Sequence, residues 1–212
     1  MDKNSKIPPI DRSVLLESDL DKDPIKQFNK WYKEALSFDV PEADTMTLST
    51  STQDGRPSSR IVLLKGATEQ GFIFYTNYQS RKGLEIAQNP FGAINIFWKE
   101  IKRQVRIEGI IERIDLELSD KYFSSRPRGS QIGAWASPQS NKISNREILD
   151  QRAKDMEKKF KDREIPRPKQ WGGYSLIPEL VEFWQYRQNR LHDRIQYTLS
   201  KEGKWLMERL AP

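Results

Sequence analysis

Short strand-like segments joined by tight turns dominate the first half of the chain and restrict it to a few folds. Residues 46–52 and 58–65 are rich in β-branched and aliphatic residues, and the Asp54-Gly55 pair between them is a strong signal for a hairpin turn. A further turn precedes a third such segment, residues 72–76. Consecutive hairpins favour a closed or half-closed antiparallel barrel over a doubly wound parallel sheet.

Further strands and several helices complete the predicted organisation. Strands are expected at residues 91–98, 103–115, 174–177 with 179–184, 192–199 and 204–209. Apolar periodicity and capping residues predict the helices. They are expected after Asp23-Pro24 and at residues 81–88, 119–124, 130–135 and 145–161. The Trp-Gly-Gly-Tyr sequence at residues 171–174 suggests a tight aromatic turn. We therefore expect a mainly β (α+β) fold, with residues 1–22 as a mobile arm and residues 23–212 as a single domain.

Composition excludes several classes of site. The chain has no cysteine, which excludes disulfides, thiolate metal sites and cysteine nucleophiles. Its one histidine, His192, excludes a multi-histidine metal site within one chain, and no metal is expected. The net charge of +6 permits phosphorylated metabolites, nucleic acid or an acidic surface as partners. No apolar run approaches the ~20 residues of a membrane span, and no apolar signal core precedes Pro9, so a cytoplasmic protein without a membrane partner is expected.

The usual phosphate-binding and hydrolytic motifs are absent from the sequence. It contains no G-x-G-x-x-G, no G-x-x-x-x-G-K-[ST] and no H-E-x-x-H. Residues 129–133 do not match the G-x-S-x-G motif of hydrolases. Any phosphate would therefore be bound by side-chain cations rather than by a glycine-rich loop.

Four groups of residues suit anion binding. They are Arg60 with Lys65, Arg81 with Lys82, Tyr122 with Arg126 and Ser130, and Arg190 with His192 and Arg194. Strand alternation puts Arg60 and Lys65 on opposite faces of their strand, and it puts Arg190, His192 and Arg194 on one face if that segment is extended. Taken singly, each group also suits a structural role, such as a core strand with solvated ends, an exposed basic turn or a structural histidine.

Taken together, these groups resemble the pyridoxine (pyridoxamine) 5′-phosphate oxidase family. The similarity extends from about Asp23 to the C-terminus. The matching segments are residues 59–65, 74–77, 80–82, 103–105, 122–137, 139–140, 171–173, 182–185, 189–194 and 209–212. Such an ordered series is far more specific than any single motif.

The resemblance implies a split β-barrel with flanking and inserted helices that works as a homodimer, with each FMN held between two subunits. The implied FMN contacts from one subunit are Arg60, Ile61, Val62, Leu63, Leu64, Lys65, Tyr75, Thr76, Arg81, Lys82 and Gln104. Those implied from the other subunit are Gln139, Ser140, Trp184 and Arg194. The implied substrate-phosphate contacts are Lys65, Tyr122, Arg126 and Ser130, and Arg190, Leu191 and His192 are also implied to bind substrate. Arg190 and His192 are the implied catalytic pair over the pyridine ring.

The implied reaction converts pyridoxine 5′-phosphate or pyridoxamine 5′-phosphate to pyridoxal 5′-phosphate. A hydride would pass from the 4′ carbon of the substrate to flavin N5, and O2 would reoxidise the flavin to give H2O2. The chain departs from the family pattern in two places. The region around residues 10–14 lacks the tyrosine that the family arm usually carries, and Tyr186-Arg187 stand where the family commonly has small residues.

Two other functions are compatible with the same sequence. One is a split-barrel flavin reductase or oxidoreductase that acts on another substrate, although the full set of substrate residues argues against it. The other is a basic barrel that binds nucleic acid, which would need aromatic residues interleaved with cations on an exposed face. The cations here are instead clustered in motifs that are separated along the chain, so we expect no nucleic-acid partner.

Overall fold

The computed structural model describes residues 14–212, which form nine strands and five α-helices. The strands are β1 (Thr45–Ser51), β2 (Pro57–Leu63), β3 (Gly66–Thr68), β4 (Gly71–Asn77), β5 (Phe91–Trp98), β6 (Arg103–Arg113), β7 (Trp171–Gln185), β8 (Asp193–Leu199) and β9 (Trp205–Arg209). The helices are α1 (Pro24–Ser37), α2 (Arg81–Gln88), α3 (Leu116–Ser125), α4 (Arg128–Ala136) and α5 (Glu147–Lys159). Two 3₁₀ turns, Glu17–Asp19 and Gln188–Arg190, are also present.

All nine strands belong to one antiparallel sheet with the order β2-β1-β5-β6-β7-β4-β3. The first half of β7 pairs with β4, and its second half pairs with β8, which in turn pairs with β9. The backbone N–H of Lys65, between β2 and β3, donates to the Ile73 carbonyl of β4 at 2.8 Å. This bond curls the β2 end of the sheet towards β4 and confirms the predicted barrel-like antiparallel architecture.

Strand β7 differs from its prediction at its start and in its middle. Residues 171–174, expected to form a turn, begin the strand and pair with Asn77 to Phe74 of β4. Gly172 and Gly173 are needed for close packing, because a Cβ at Gly172 would collide with the Tyr78 hydroxyl and one at Gly173 with Ile114. The two predicted segments on either side of Pro178 form one continuous strand, because a bulge at Glu179 absorbs the irregularity: Pro178 pairs with Gly109 of β6 and Leu180 with Glu108.

Helix α1 starts where the sequence predicts. The Asp23 carboxylate caps it by accepting the backbone N–H of Ile25 at 2.8 Å, and Pro24 occupies the first turn. Phe28, Trp31 and Ala35 on its inner face are buried in the main core. The helix thus covers one face of the curled sheet.

Helices α3 to α5 are packed on a second, smaller core. Its buried members are Phe123, Ile132, Phe160, Ile165 and Trp171. Because Trp171 lies on β7, this second core fixes α3 and α4 against the start of that strand. None of the helices within residues 14–212 is long and apolar enough to cross a membrane.

The N-terminal segment packs on the domain from Leu15 onward. Leu15 and Leu20 are buried in the main core, and the Tyr197 hydroxyl donates to the Asp21 carbonyl at 2.7 Å. Of the arm predicted over residues 1–22, residues 14–22 are therefore held against the sheet. Residues 1–13, and with them most of the region that lacks the family's tyrosine, lie outside the described residues.

Candidate active site

A group of cations lies where β2, β4 and α2 meet. The Arg60 guanidinium on β2 donates to the Thr50 hydroxyl at 2.6 Å and lies 3.3 Å from the Glu85 carboxylate. Lys82, in the first turn of α2, is 7% exposed, and its ammonium donates to the Thr76 hydroxyl at 3.3 Å. Within residues 14–212 this ammonium has no carboxylate in ion-pair contact. We call Arg60, Thr76, Arg81, Lys82 and Glu85 the cation cluster.

The cation cluster contains more positive than negative charge, and burial makes that imbalance costly. Burial lowers the pKa of Lys82, the Arg60 charge lowers it further, and Glu85 only partly opposes both. Burial likewise lowers the pKa of Arg60 despite its contact with Glu85. A buried cation without a full counter-charge is costly unless an anion is supplied. The cation cluster is therefore suited to a phosphate group.

Glu85 is a buried carboxylate in the cation cluster that the sequence analysis missed. It accepts hydrogen bonds from Ser58 at 2.6 Å and from Arg81 Nε at 2.8 Å, as well as from Thr50. Burial would raise the pKa of Glu85, but the hydrogen bonds from Ser58, Thr50 and Arg81 and the Arg60 charge outweigh burial and hold it at about 2. The only sequence signal was the four-residue spacing between Arg81 and Glu85 on α2.

This lowered pKa makes the stability of the fold depend on pH. Because the folded pKa lies below the ordinary 4.5, the ionised Glu85 stabilises the fold above pH 4.5, and this contribution is lost as the pH falls towards 2. Between about pH 6 and pH 3 the free energy of unfolding of the wild type should fall by about 2 kcal/mol more than that of the Glu85→Gln variant. Urea unfolding of the FMN-free protein across this range measures the difference.

The matched control for this prediction is Glu108→Gln. Glu108 pairs with Arg106, but both side chains are more than 40% exposed, so the pair is screened by solvent. The Glu108→Gln variant should follow the wild-type pH dependence. Parallel pH profiles for wild type and Glu85→Gln would show that Glu85 is not held ionised by the cation cluster.

A second group combines stacked aromatic rings with a buried cation. The Tyr75 ring of β4 stacks on the Tyr122 ring of α3, with centroids 4.0 Å apart, and on the Trp171 ring at 5.5 Å. The Arg126 guanidinium lies over the Trp171 ring at 4.7 Å. Among residues 14–212, its buried Nη1 has no hydrogen-bond partner. We call Tyr75, Tyr122, Arg126 and Trp171, with the nearby Ser130, the aromatic clamp.

A cavity of about 280 Å³ lies beside the aromatic clamp. Arg126, Ser130 and Trp171 line one part of it, and Asn77 and Gln139 line another. Burial lowers the pKa of Arg126, against the opposing effect of Tyr122. Arg126 lines this cavity, and its unpartnered guanidinium nitrogen is suited to donate a charge-assisted hydrogen bond to an anionic ligand.

Gln139 lies beside Thr76 of its own chain. Its side-chain oxygen accepts from the Thr76 hydroxyl and from the Asn77 backbone N–H, each at 3.3 Å. The loop after α4 therefore returns to the end of β4, and contact of Gln139 with FMN from the other subunit stays a prediction. Ser140 follows in a left-handed backbone conformation (φ 71°) and is exposed.

Lys65 is not part of the aromatic clamp in this chain. Its ammonium pairs with Asp44 at 2.9 Å. Strand β2 ends at Leu63, so the alternation that was expected to oppose Arg60 and Lys65 does not extend to Lys65. Within β2, Ile61 and Leu63 are 62% and 46% exposed, Val62 is half-buried, and Leu64 beyond the strand is buried. The segment thus presents an apolar edge to solvent beside the cation cluster.

A third group lies at the far end of β7. Gln104, Trp184 and Arg194 are aligned across β6, β7 and β8 by the strand register. Arg194 is held by Glu182 through contacts of 2.7 and 3.1 Å, and the Trp184 ring lies 4.6 Å from the His192 ring. We call Trp184, Arg190, His192 and Arg194 the distal group.

The loop that carries Arg190 and His192 is not extended. Asn189 and Arg190 both have left-handed backbone angles, with φ of 56° and 63°, and β8 begins only at Asp193. The prediction that Arg190, His192 and Arg194 share one strand face is therefore wrong. Leu191 is 68% exposed, and Arg190 is also exposed. Non-glycine residues in this conformation cost of order 1–3 kcal/mol each and occur preferentially at functional sites.

The backbone fixes the tautomer of His192. The Arg187 N–H donates to His192 Nδ1 at 3.1 Å, so in the neutral ring the proton is on Nε2, which is left as a hydrogen-bond donor. Because the chain has one histidine, ¹⁵N-histidine NMR of tag-free protein at alkaline pH reports this ring alone. We expect the Nε2–H tautomer. A spectrum dominated by the Nδ1–H tautomer would contradict the assignment.

The aromatic clamp and the distal group lie too far apart to serve one small ligand within a chain. Trp171 and Trp184 are at opposite ends of β7, roughly 40 Å apart along the strand at about 3.3 Å per residue. The cation cluster is closer to the clamp, because Thr76 on β4 pairs opposite Gly172. A single chain thus contains two separated parts of the predicted site. No set of three or more His, Asp or Glu side chains in the described part of the chain is arranged to hold a metal ion.

Comparison with known proteins agrees with this division. Residues 32–160 match the family model described as pyridoxamine 5′-phosphate oxidase, and residues 171–212 match the pyridoxine 5′-phosphate oxidase C-terminal dimerisation region. The distal group falls within the latter. The chain thus contains both regions that these models describe.

Curated relatives cover nearly the whole chain. The pyridoxine/pyridoxamine 5′-phosphate oxidase of Acaryochloris marina is 51% identical over 95% of this chain and 91% of that protein. The pyridoxine/pyridoxamine 5′-phosphate oxidase of Burkholderia thailandensis is 52% identical over 95% of this chain and 94% of that protein. Among solved structures, PhzG from Burkholderia lata 383, in complex with tetrahydrophenazine-1-carboxylic acid, is 30% identical with a TM-score of 0.88 over 94% of this chain and 98% of that one. An FMN-binding protein from Nostoc punctiforme shares the fold, with a TM-score of 0.72 over 91% of this chain and 100% of that one. Its sequence is 17% identical. The chain belongs to the pyridoxamine 5′-phosphate oxidase family.

Proposed function

We propose that the protein is an FMN-dependent oxidase that converts pyridoxine 5′-phosphate or pyridoxamine 5′-phosphate to pyridoxal 5′-phosphate. The observation that carries the proposal is Arg126, which lines the cavity and whose buried Nη1 has no hydrogen-bond partner among residues 14–212. A substrate phosphate supplies the anion that this position needs. Curated relatives that are about 50% identical carry this activity in their names.

The residues of the cation cluster fit the phosphate of FMN. The buried Lys82 ammonium and the Arg60 guanidinium lack a full counter-charge, and both are hydrogen-bond donors that a phosphate can accept from. Arg81 at the start of α2 adds a further cation. The exposed Ile61 and Leu63 on β2 provide an apolar edge beside this cluster for a flat ring. When bound, FMN would supply the redox chemistry, accepting a hydride at N5 and passing the electrons to O2 as H2O2.

The protein's own residues bind and orient the substrate. Arg126, Ser130 and Tyr122 hold its phosphate, which fixes the distance of the pyridine ring from the reacting centre. The Nε2–H of His192 donates to a polar ring substituent, and the Arg190 guanidinium steadies the oxygen or nitrogen on the 4′ carbon. The Trp184 ring lies against the His192 ring, with centroids 4.6 Å apart, and helps to hold the imidazole in place.

We further propose that each site is shared between two copies of the chain. The aromatic clamp and the distal group are at opposite ends of β7, so one substrate can meet both only if a second chain supplies the distal group. The match of residues 171–212 to a dimerisation region supports this arrangement. The FMN site at the interface would then combine the cation cluster of one subunit with Trp184 and Arg194 of the other.

An oxidase assay tests the proposed activity. FMN-loaded protein mixed with pyridoxine 5′-phosphate in air should form pyridoxal 5′-phosphate and H2O2 in equal amounts. Pyridoxine without the phosphate is the matched control substrate and should react far more slowly, because Arg126 then has no anion to bind. A protein that takes up FMN but forms neither product would instead favour a flavin reductase with another substrate.

A further inference from the structure

Asp193 joins separate parts of the chain next to the distal group. It begins β8 between His192 and Arg194, and it is 7% exposed. Its carboxylate accepts the Leu15 N–H at 3.1 Å and the Arg209 guanidinium at 2.9 Å. It also pairs with the Arg187 guanidinium at 3.5 Å. One buried carboxylate thus ties together the N-terminal segment, the loop before His192 and the last strand.

Arg209 on β9 extends this network to the N-terminal segment. Its guanidinium contacts the two oxygens of the Glu17 carboxylate, each at 3.0 Å, and donates to the Leu15 carbonyl at 2.5 Å. Leu15 itself is buried in the main core. Residues 15–17 are therefore held by both Asp193 and Arg209, and the position of this segment is coupled to the start of β8.

Arg187 links the same carboxylate to His192. Its side chain pairs with Asp193, and its backbone N–H donates to His192 Nδ1 at 3.1 Å. His192 is also the residue that directly precedes Asp193. The orientation of the imidazole is therefore tied to Asp193 in two ways, through the chain and through the Arg187 backbone.

We propose that Asp193 is a positioning residue that orients His192 and Arg190 and couples their loop to residues 15–17. The proposal rests on the proposed function in so far as His192 and Arg190 contact substrate. Arg194, the next residue, has its own carboxylate partner in Glu182, with contacts of 2.7 and 3.1 Å. Loss of the Asp193 charge should therefore disturb the loop before it more than the FMN contact after it.

The test compares Asp193→Asn with Arg209→Gln, which breaks the same network from β9, outside the substrate and FMN contacts. Asp54→Asn is the matched control, because its ion pair with Arg56 lies on the exposed β1–β2 turn. Two properties are measured in full-length, FMN-loaded protein: the ¹⁵N signals of the single histidine, and kcat/KM for pyridoxine 5′-phosphate. The dissociation constant of FMN is measured in parallel.

We expect Asp193→Asn and Arg209→Gln to shift the His192 signals towards a mixture of tautomers. Both variants should also lower kcat/KM by about tenfold, while the FMN dissociation constant stays within about twofold of the parent value. Asp54→Asn should leave all three unchanged. Unaltered His192 signals in both network variants, or an equal loss of FMN affinity and kcat/KM, would overturn the proposal. If the parent protein forms no pyridoxal 5′-phosphate, the proposed function fails, whereas the NMR signals still decide whether Asp193 positions His192.

Discussion

Replacing Arg126 with methionine should raise the KM for pyridoxine 5′-phosphate by about a hundredfold, because charge-assisted hydrogen bonds to a buried anion are worth roughly 1.5–3 kcal/mol each. Methionine preserves much of the apolar contact with the Trp171 ring, so the loss reports the charge rather than the packing. Steady-state kinetics with FMN in excess measures the effect. The FMN dissociation constant should change by less than about twofold.

Arg128→Met is the matched control for this prediction. Arg128 is the next arginine along the chain, but its guanidinium donates to the Phe160 and Arg163 carbonyls at 2.6 and 3.0 Å rather than facing the 280 Å³ cavity. Its KM should stay near that of the parent. A loss of FMN affinity in Arg126→Met as large as the rise in KM would assign Arg126 to the cofactor instead of the substrate phosphate.

Replacing Arg60 with alanine should weaken FMN binding by about a hundredfold, while riboflavin binding changes by less than about threefold. The guanidinium lies in the cation cluster beside Glu85 and Thr50, and riboflavin has no phosphate for it to contact. Fluorescence titration of the flavin-free protein with the two ligands measures both constants. The comparison separates loss of a phosphate contact from general damage to the flavin site.

The control for the Arg60 variant is Arg56→Ala on the same hairpin. Arg56 is a mostly exposed cation paired with Asp54 at 3.1 Å. The Arg56→Ala variant should leave the dissociation constants of FMN and riboflavin unchanged. If Arg60→Ala weakened FMN and riboflavin binding equally, the cation cluster would not be the phosphate site.

The sequence predicted those parts of the fold that depend on local periodicity. The Asp54-Gly55 turn, the two strands that it joins, and the Asp23-Pro24 helix start are all local signals, and the structure confirms them. Trp171 to Tyr174 was misassigned because two adjacent glycines suit both a turn and a strand that packs closely against its neighbours. Only the three-dimensional contacts with Tyr78 and Ile114 distinguish the two.

The site was predictable as a set of residues but not as an arrangement. Gln139 reaches Thr76 through a loop return that no spacing along the chain indicates. The left-handed turn at Asn189 and Arg190 removes the shared face expected for Arg190, His192 and Arg194. Glu85 and Asp193 were missed as ionic centres, because their importance comes from partners on other strands and helices.

The central claim is that the aromatic clamp and cation cluster of one chain form a site with the distal group of another. Co-expression of an Arg60→Ala chain and an Arg190→Ala chain with two different affinity tags allows the mixed dimer to be purified. One of its two sites would then contain both substitutions, and the other would contain neither.

The mixed dimer should recover about half the oxidase activity of the parent dimer, although each variant alone is weakly active. Activity is measured as pyridoxal 5′-phosphate formed from pyridoxine 5′-phosphate, at an FMN concentration that fills the sites of the parent dimer but not those of the Arg60→Ala homodimer. Activity no higher than the mean of the two variant homodimers would contradict the shared site, because it would show that each chain builds its site alone.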